Sequence, residues 1–413
     1  MVMPKLVLPK ETKMTNGISL YTLESNVKDV VRFDMLFSGG YGVQQKPLQA
    51  LFTNRMLREG AGRLSSAEIS RKFDNYGAWI DMYSSQNCNH ITLYTLAKHF
   101  EPMLDVLCTM VMNPQFSSKN LETVRRNNKS YFLINSRKVE VLAQRHFENS
   151  LWGYEHPLGH IICAEDYDAI TRENLLDYHQ QVYNSQNCTM FMAGNVSDNM
   201  LKAVATRLGN SCWGSGTGII LSDIPQHSSA LGRKTVCVEK ALQSAVKIGC
   251  MSVDASHADM FPLRFLTILF GGYFGSRLMS NIRERNGYTY HIQAELDAYG
   301  KKNAFMITTE TTNDHVEPLI DEVYKEMHRL CCETITNQEL ELVRNYTFGE
   351  LCREYEGTLA KSEVFINAWL SGEPFDTVNR YMEYIKNVNA EELQRVACKY
   401  LQRDKMFEVV VGA

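Results

Sequence analysis

The sequence is informative first for what it does without. No run in its 413 residues approaches the roughly 18 consecutive apolar residues that a membrane-spanning helix needs, so no membrane association is expected. Neither sign of charge dominates: 43 Lys and Arg stand against 47 Asp and Glu, a formal charge of −4. Without a basic excess there is little to draw a phosphate backbone, and nucleic-acid binding is not expected. The eleven cysteines include no C-x-x-C spacing. An odd, scattered set argues for thiols in a reducing compartment rather than a disulfide framework. The opening stretch, MVMPKLVLPKETKMTNGISLYTL, has neither the continuous apolar core of a secretory signal nor the Arg- and Ser-rich composition of a transit peptide. A cytoplasmic chain is the expectation.

Common catalytic signatures are missing as well. Gly275-Ser276-Arg277 is not followed by the glycine that a nucleophile elbow requires. Gly214 to Gly218 (GSGTG) lacks the lysine of a phosphate loop and reads as a connection. His156 and His160 have the i, i+4 spacing of a helical metal site, with Glu155 beside them, but Pro157 and Gly159 lie between and argue against a helix that would face both imidazoles at one ion. His90, His99 and His315 stand singly and read as packing or surface residues.

What is present is a repeat. The length exceeds one ordinary core and suggests two domains, with 44 % hydrophobic and 22 % charged residues as in soluble globular chains. Alternating apolar and polar residues from Gly17 to Ser38 predict two antiparallel strands before the Gly39-Gly40 turn. A helix is expected over Leu48 to Arg58, a second from a Ser65-Ser66 cap to Tyr76, then a strand pair at 78–85 and 90–96, and helices from Phe100 and Ser117. The order recurs roughly 210 to 220 residues later. His99-Phe100-Glu101-Pro102 returns as His315-Val316-Glu317-Pro318, and Leu121-Glu122 with Val124-Arg125 as Leu340-Glu341 with Val343-Arg344. Leu175, Tyr183 and a strand closing at Gly194 return as Leu393, Tyr400 and a strand closing at Gly412. Residues 209–233, rich in Gly and Ser, read as a linker between domains at 1–208 and 234–413. The expected class is α+β: two homologous duplicated domains, each an antiparallel-rich sheet packed by helices, with a cleft between them.

One segment stands out in the second half, Gly271 to Tyr290 (GGYFGSRLMSNIRERNGYTY). Its pattern predicts a short helix with Leu278 and Ile282 inward, a break at Gly287, then a strand. Arg283 on the helix and Tyr290 on the strand are expected to point into one cleft.

The duplication, this segment, Trp152 to His160 (WGYEHPLGH) and the closing strands together resemble the pitrilysin and mitochondrial-processing-peptidase family of zinc peptidases, over nearly the whole chain. The resemblance implies that family's metallohydrolase fold and a zinc site in which H-x-x-E-H on a first-domain helix supplies two ligands and a general base. The motif's place, just before Met56-Leu57 and Gly60, holds Leu51, Phe52, Thr53, Asn54 and Arg55. Leucine has no lone pair, asparagine cannot take a proton from water, and arginine repels a cation. The distal ligand position falls on Tyr131 and its supporting acidic position on Val124, so no zinc site is expected in this chain.

In some members the labour is split: one chain keeps H-x-x-E-H and its partner keeps an arginine and a tyrosine. Arg283 and Tyr290 match that pair in type and spacing. The resemblance therefore implies a noncatalytic subunit whose Arg283 and Tyr290 bind peptide substrate, beside a zinc-bearing partner of similar length. An inert scaffold of the same fold is the alternative, with a homodimer as a state open to the isolated chain. The strand at Ala78 to Ser85 is the counterpart of the edge that pairs with extended substrate in zinc-bearing relatives.

Overall fold

The structure is a computed structural model and describes residues 6–25, 29–219 and 232–412. Its first half contains strands β1 (Lys10–Lys13), β2 (Ser19–Glu24), β3 (Val30–Ser38), β4 (Trp79–Ser84), β5 (Cys88–Leu96) and β6 (Cys188–Gly194). Its second half contains β7 (Gly232–Cys237), β8 (Gln243–Met251), β9 (Ile292–Tyr299), β10 (Lys302–Thr312) and β11 (Phe407–Gly412). Two sheets result, ordered β1-β2-β6-β3-β5-β4 and β7-β11-β8-β10-β9. With β1 set aside the orders superpose strand for strand, so the repeat read from the sequence is a repeat of topology. In each sheet one pair is parallel, β2 with β6 and β7 with β11, and the other pairs are antiparallel.

The two strands expected from Gly17 to Ser38 form and run in opposite directions, but they do not pair. Strand β6 lies between them, parallel to β2 and antiparallel to β3. Strand β3 is buried along seven consecutive positions, so it needs a neighbour on both edges, and the apolar run CTMFMAG of β6 supplies one.

The helices of the first half are α1 (Gln49–Met56), α2 (Ser66–Asn75), α3 (Phe100–Met112), α4 (Ser118–Asn135), α5 (Val139–Trp152), α6 (Ala164–Ala169), α7 (Arg172–Val182) and α8 (Asp198–Val204). Those of the second are α9 (Met260–Gly271), α10 (Val316–Cys332), α11 (Asn337–Glu354), α12 (Thr358–Leu370), α13 (Thr377–Asn387) and α14 (Ala390–Tyr400). Helix α2 starts where the Ser65 cap predicts: the Ser65 hydroxyl accepts from Glu68 N–H, and Glu68 Oε2 accepts from Ser65 N–H at 2.8 Å.

Each sheet has one face on helices of its own half and the other on a helix from the opposite half. Helix α5 lays Ala143, Phe147, Leu151 and Trp152 against Ala245, Met306, Phe407 and Val409 of the second sheet. Helix α12 returns the contact, with Phe365 and Ile366 against Leu36, Phe191 and Ala193 of the first. Fully burying each large apolar side chain stabilises by about 1.5–3 kcal/mol, so the exchange ties the halves together. It also explains why β3 and β8 read as continuous apolar runs, since both faces are covered.

Of the linker expected at 209–233, residues 220–231 lie outside the described residues. Before them, Trp213 and Ile219 pack on the first core, and Trp213 Nε1–H donates to the Leu208 carbonyl at 3.0 Å. Among the described residues no helix is long and apolar enough to cross a membrane.

Candidate functional site

Helix α1 carries Leu51, Asn54 and Arg55, the positions at which the resemblance expects zinc ligands. It is entered through Leu48, whose φ of 67° is rare for a branched residue. Leu51 packs against the first core. Asn54 is 1 % exposed, and its amide donates to the carbonyls of Tyr83 at 3.2 Å and His90 at 3.4 Å, so it ties the helix to β4 and β5. Arg55 is exposed and borders an open crevice with Glu59, Trp79, Asp81 and Val124. Tyr131 on α4 is 71 % exposed. The donor set is thus a leucine, an amide bonded to backbone, a cation and a solvent-facing phenol, which does not fit zinc. Among the described residues no group of three His, Cys, Asp or Glu side chains is placed to hold a metal ion.

His156 and His160 lie in the loop after α5, outside any helix. The His156 ring stacks on Trp152 and its Nδ1 accepts from Leu158 N–H at 3.0 Å, while His160 Nε2 meets Asp166 Oδ2 at 3.0 Å. The two imidazoles have different partners.

Strand β4 is an edge of its sheet. Its open face carries Trp79, stacked on Tyr94 with centroids 5.5 Å apart, and Tyr83, stacked on His90 at 4.2 Å. Burial drives the His90 pKa down to about 4, so the ring is a neutral packing group.

In the second half the expected helix, turn and strand appear with two differences. Residues Met279–Arg285 form a π-helical stretch, with Asn286 N–H donating to the Asn281 carbonyl five residues back at 3.0 Å. Leu278 and Ile282 are fully buried as anticipated, and Arg283 is partly exposed with its guanidinium 4.6 Å from the Phe274 ring centroid. Tyr290 is not on the strand: it precedes β9, which begins at Ile292, and is 87 % exposed. Gly287, with a φ of 68°, and the anchoring of Thr289 Oγ1 to the Glu310 carbonyl at 2.6 Å delay the pairing and leave Tyr290 at the tip. Among the described residues no hydrogen bond or ring contact joins Arg283 to Tyr290.

A cavity of about 280 Å³ lies where α1, α5 and the 153–162 loop of the first half meet β9 of the second. Leu51 lines it beside Tyr41, Arg145, Glu148, His160 and Tyr299. Burial raises the Glu148 pKa and lowers that of Arg145. The sequence offered no motif for this group, since its members are spread from Tyr41 to Tyr299 and meet only through the exchange of α5.

The geometry is that of a duplicated α+β fold with no metal-holding group among the described residues. Residues 49–162 match the family model described as Insulinase (Peptidase family M16), and residues 169–346 match that described as Peptidase M16 inactive domain. The chain belongs to peptidase family M16. It is 21 % identical over 393 residues to a Rickettsia felis protein described as an uncharacterized zinc protease, covering 94 % of each chain. It is 20 % identical over 369 residues to a Helicobacter pylori protein described as a non-peptidase homolog, covering 87 % of this chain and 83 % of that one. A Pseudomonas fluorescens structure described as a peptidase M16 inactive domain superposes with a TM-score of 0.88 at 20 % identity, with 98 % of each chain covered. A chain of complex III2 from Candida albicans superposes with a TM-score of 0.79 at 12 % identity, covering 98 % of this chain and 95 % of that one.

Proposed function

We propose that this chain is the noncatalytic subunit of a heterodimeric zinc metallopeptidase, with Arg283 and Tyr290 presented to peptide substrate held at the zinc of a partner of similar length that carries H-x-x-E-H. The observation that carries the reading is a contrast within one chain. Helix α1 carries no metal-binding group at Leu51, Asn54 or Arg55, whereas Arg283 is partly exposed and Tyr290 is 87 % exposed. A guanidinium and a phenol are the donors that an extended peptide backbone and a carbonyl oxygen gaining negative charge require. The division into 1–208, a connection at 209–233 and 234–413 belongs to the same reading, as does a cytoplasmic location.

The alternative is an inert scaffold of the same fold, alone or as a homodimer, and the Helicobacter pylori relative described as a non-peptidase homolog favours it. Purifying the chain alone and after co-expression with an H-x-x-E-H chain of similar length, then assaying cleavage of a quenched peptide library with zinc, separates the two. The expected result is no cleavage alone and cleavage by the complex. Cleavage by the chain alone, or no cleavage by a stable complex, would overturn the subunit reading.

A further inference from the structure

The cavity between the halves holds two charges that the rest of the described molecule leaves unmatched. The Arg145 guanidinium makes neither a hydrogen bond nor an ion pair among the described residues and rests 4.7 Å from the Phe132 ring centroid. Glu148, one turn further along α5, accepts a single side-chain hydrogen bond, from Gln144 Nε2 at 2.9 Å, and forms no ion pair. Opposite charges three apart on a helix can pair, as Glu122 does with Arg125. Arg145 and Glu148 form no ion pair among the described residues, and both line the cavity.

The remaining wall is largely apolar, with Leu48, Leu51, Leu158 and Ile162 among its members. Tyr299, 4 % exposed, brings a hydroxyl that makes no hydrogen bond of regular geometry, although the Asp297 carboxylate is its near neighbour. An apolar chamber with a cation, an anion and a phenol at fixed points suits a ligand carrying both charges and greasy substituents.

We propose that this cavity binds a short zwitterionic peptide of dipeptide size with apolar side chains, its ammonium group at Glu148 and its carboxylate at Arg145. A cavity of about 280 Å³ with apolar walls has room for a dipeptide and its two side chains. Arginine is also the side chain whose planar fork grips a carboxylate through two bonds. The proposal goes beyond the subunit reading and needs no partner chain, so either can fail without the other.

Isothermal titration calorimetry on the full chain alone tests it, with Leu-Leu, N-acetyl-Leu-Leu, Leu-Leu-amide and free leucine as probes. One molecule of Leu-Leu per chain is expected. Blocking either terminus, or introducing Glu148→Gln or Arg145→Gln, should weaken binding about 10- to 100-fold, as for a lost hydrogen bond to a charged group. Tyr299→Phe should weaken it less, and circular dichroism melts verify that each variant folds. Absence of Leu-Leu binding overturns the proposal. So do equal affinities for blocked and free peptides, free leucine binding as tightly as Leu-Leu, or folded variants that bind like the parent chain.

Discussion

Strands β3 and β8 occupy equivalent places in the two sheets, and each buries a charged side chain beside a threonine of the next strand. In the first sheet the Thr92 hydroxyl donates to Asp34 Oδ1 at 2.7 Å; in the second, Lys247 Nζ donates to Thr308 Oγ1 at 2.8 Å. Their surroundings differ. Asp34 is gripped by Arg32 through three bonds of 2.8 to 3.0 Å, and Arg32 is bound in turn by Glu363 of α12. Among the described residues Lys247 has no carboxylate within ion-pair distance; its Nζ also donates to Met306 Sδ at 3.4 Å and lies 6.0 Å from the Phe147 ring of α5, and burial pushes its pKa down to about 8. One half pairs its buried charge with an opposite one; in the other, burial makes the charged form costly. Duplication has kept the strands, the threonine and the covering helix while the polar complement diverged.

The comparison breaks most sharply at Arg32. Arg32→Met leaves Asp34 buried and unpaired and should cost about 3–5 kcal/mol in urea unfolding, with Asp34→Asn in the same background recovering much of it. A loss below about 1 kcal/mol would mean that the pair is not what holds the first sheet's charge. Truncating the exchanged helices comes next: Phe147→Ala on α5 and Phe365→Ala on α12, both fully buried, should each cost about 3 kcal/mol or slightly more. If only one of them destabilises, the clasp is not reciprocal.

The two halves should also respond to pH in different windows. Lys247 binds its proton more weakly folded than unfolded, so the native state gains stability as pH rises from about 8 toward 10.5. Lys247→Met should therefore exceed the parent by about 3 kcal/mol at pH 7, with the gap closing by pH 10.5. In the first half, neutral His90 costs nothing above its unfolded pKa of 6.5, and stability falls as pH drops from 6.5 toward about 4. His90→Phe should flatten that fall, which amounts to about 3 kcal/mol, while keeping the stack on Tyr83. Parallel melting curves for parent and variant across either window would contradict the assignment. The smallest effect on stability belongs to Arg283→Ala and Tyr290→Phe, each expected within about 0.5 kcal/mol of the parent because neither side chain is fully buried.

Local rules made much of this legible. The Ser65 cap, the stop of α3 at Asn113 and Pro114, and the inward Leu278 and Ile282 are read from periodicity and capping chemistry within a few residues. The repeat carried the sheet class, because the same elements return in the same order. Three features were not legible, and each depends on partners distant in sequence. Strand β6 enters between β2 and β3 from more than 150 residues away. Helices α5 and α12 cover the opposite half, which no amphipathic pattern on α5 could reveal. Tyr290 stands before β9 because Thr289 is anchored to the Glu310 carbonyl of β10. The cavity with Arg145 and Glu148 follows from the exchange of α5 and shares its invisibility.

The central claim is that the second half keeps its share of a peptidase site that the first half has lost. It is tested most directly by measuring peptide turnover for the complex of this chain with an H-x-x-E-H partner, in parent form and with Arg283→Ala, alongside gel filtration to confirm assembly. The account predicts turnover lower by about 10²–10³ in an intact complex, the usual loss of one transition-state donor. Unchanged turnover in an intact Arg283→Ala complex would contradict it.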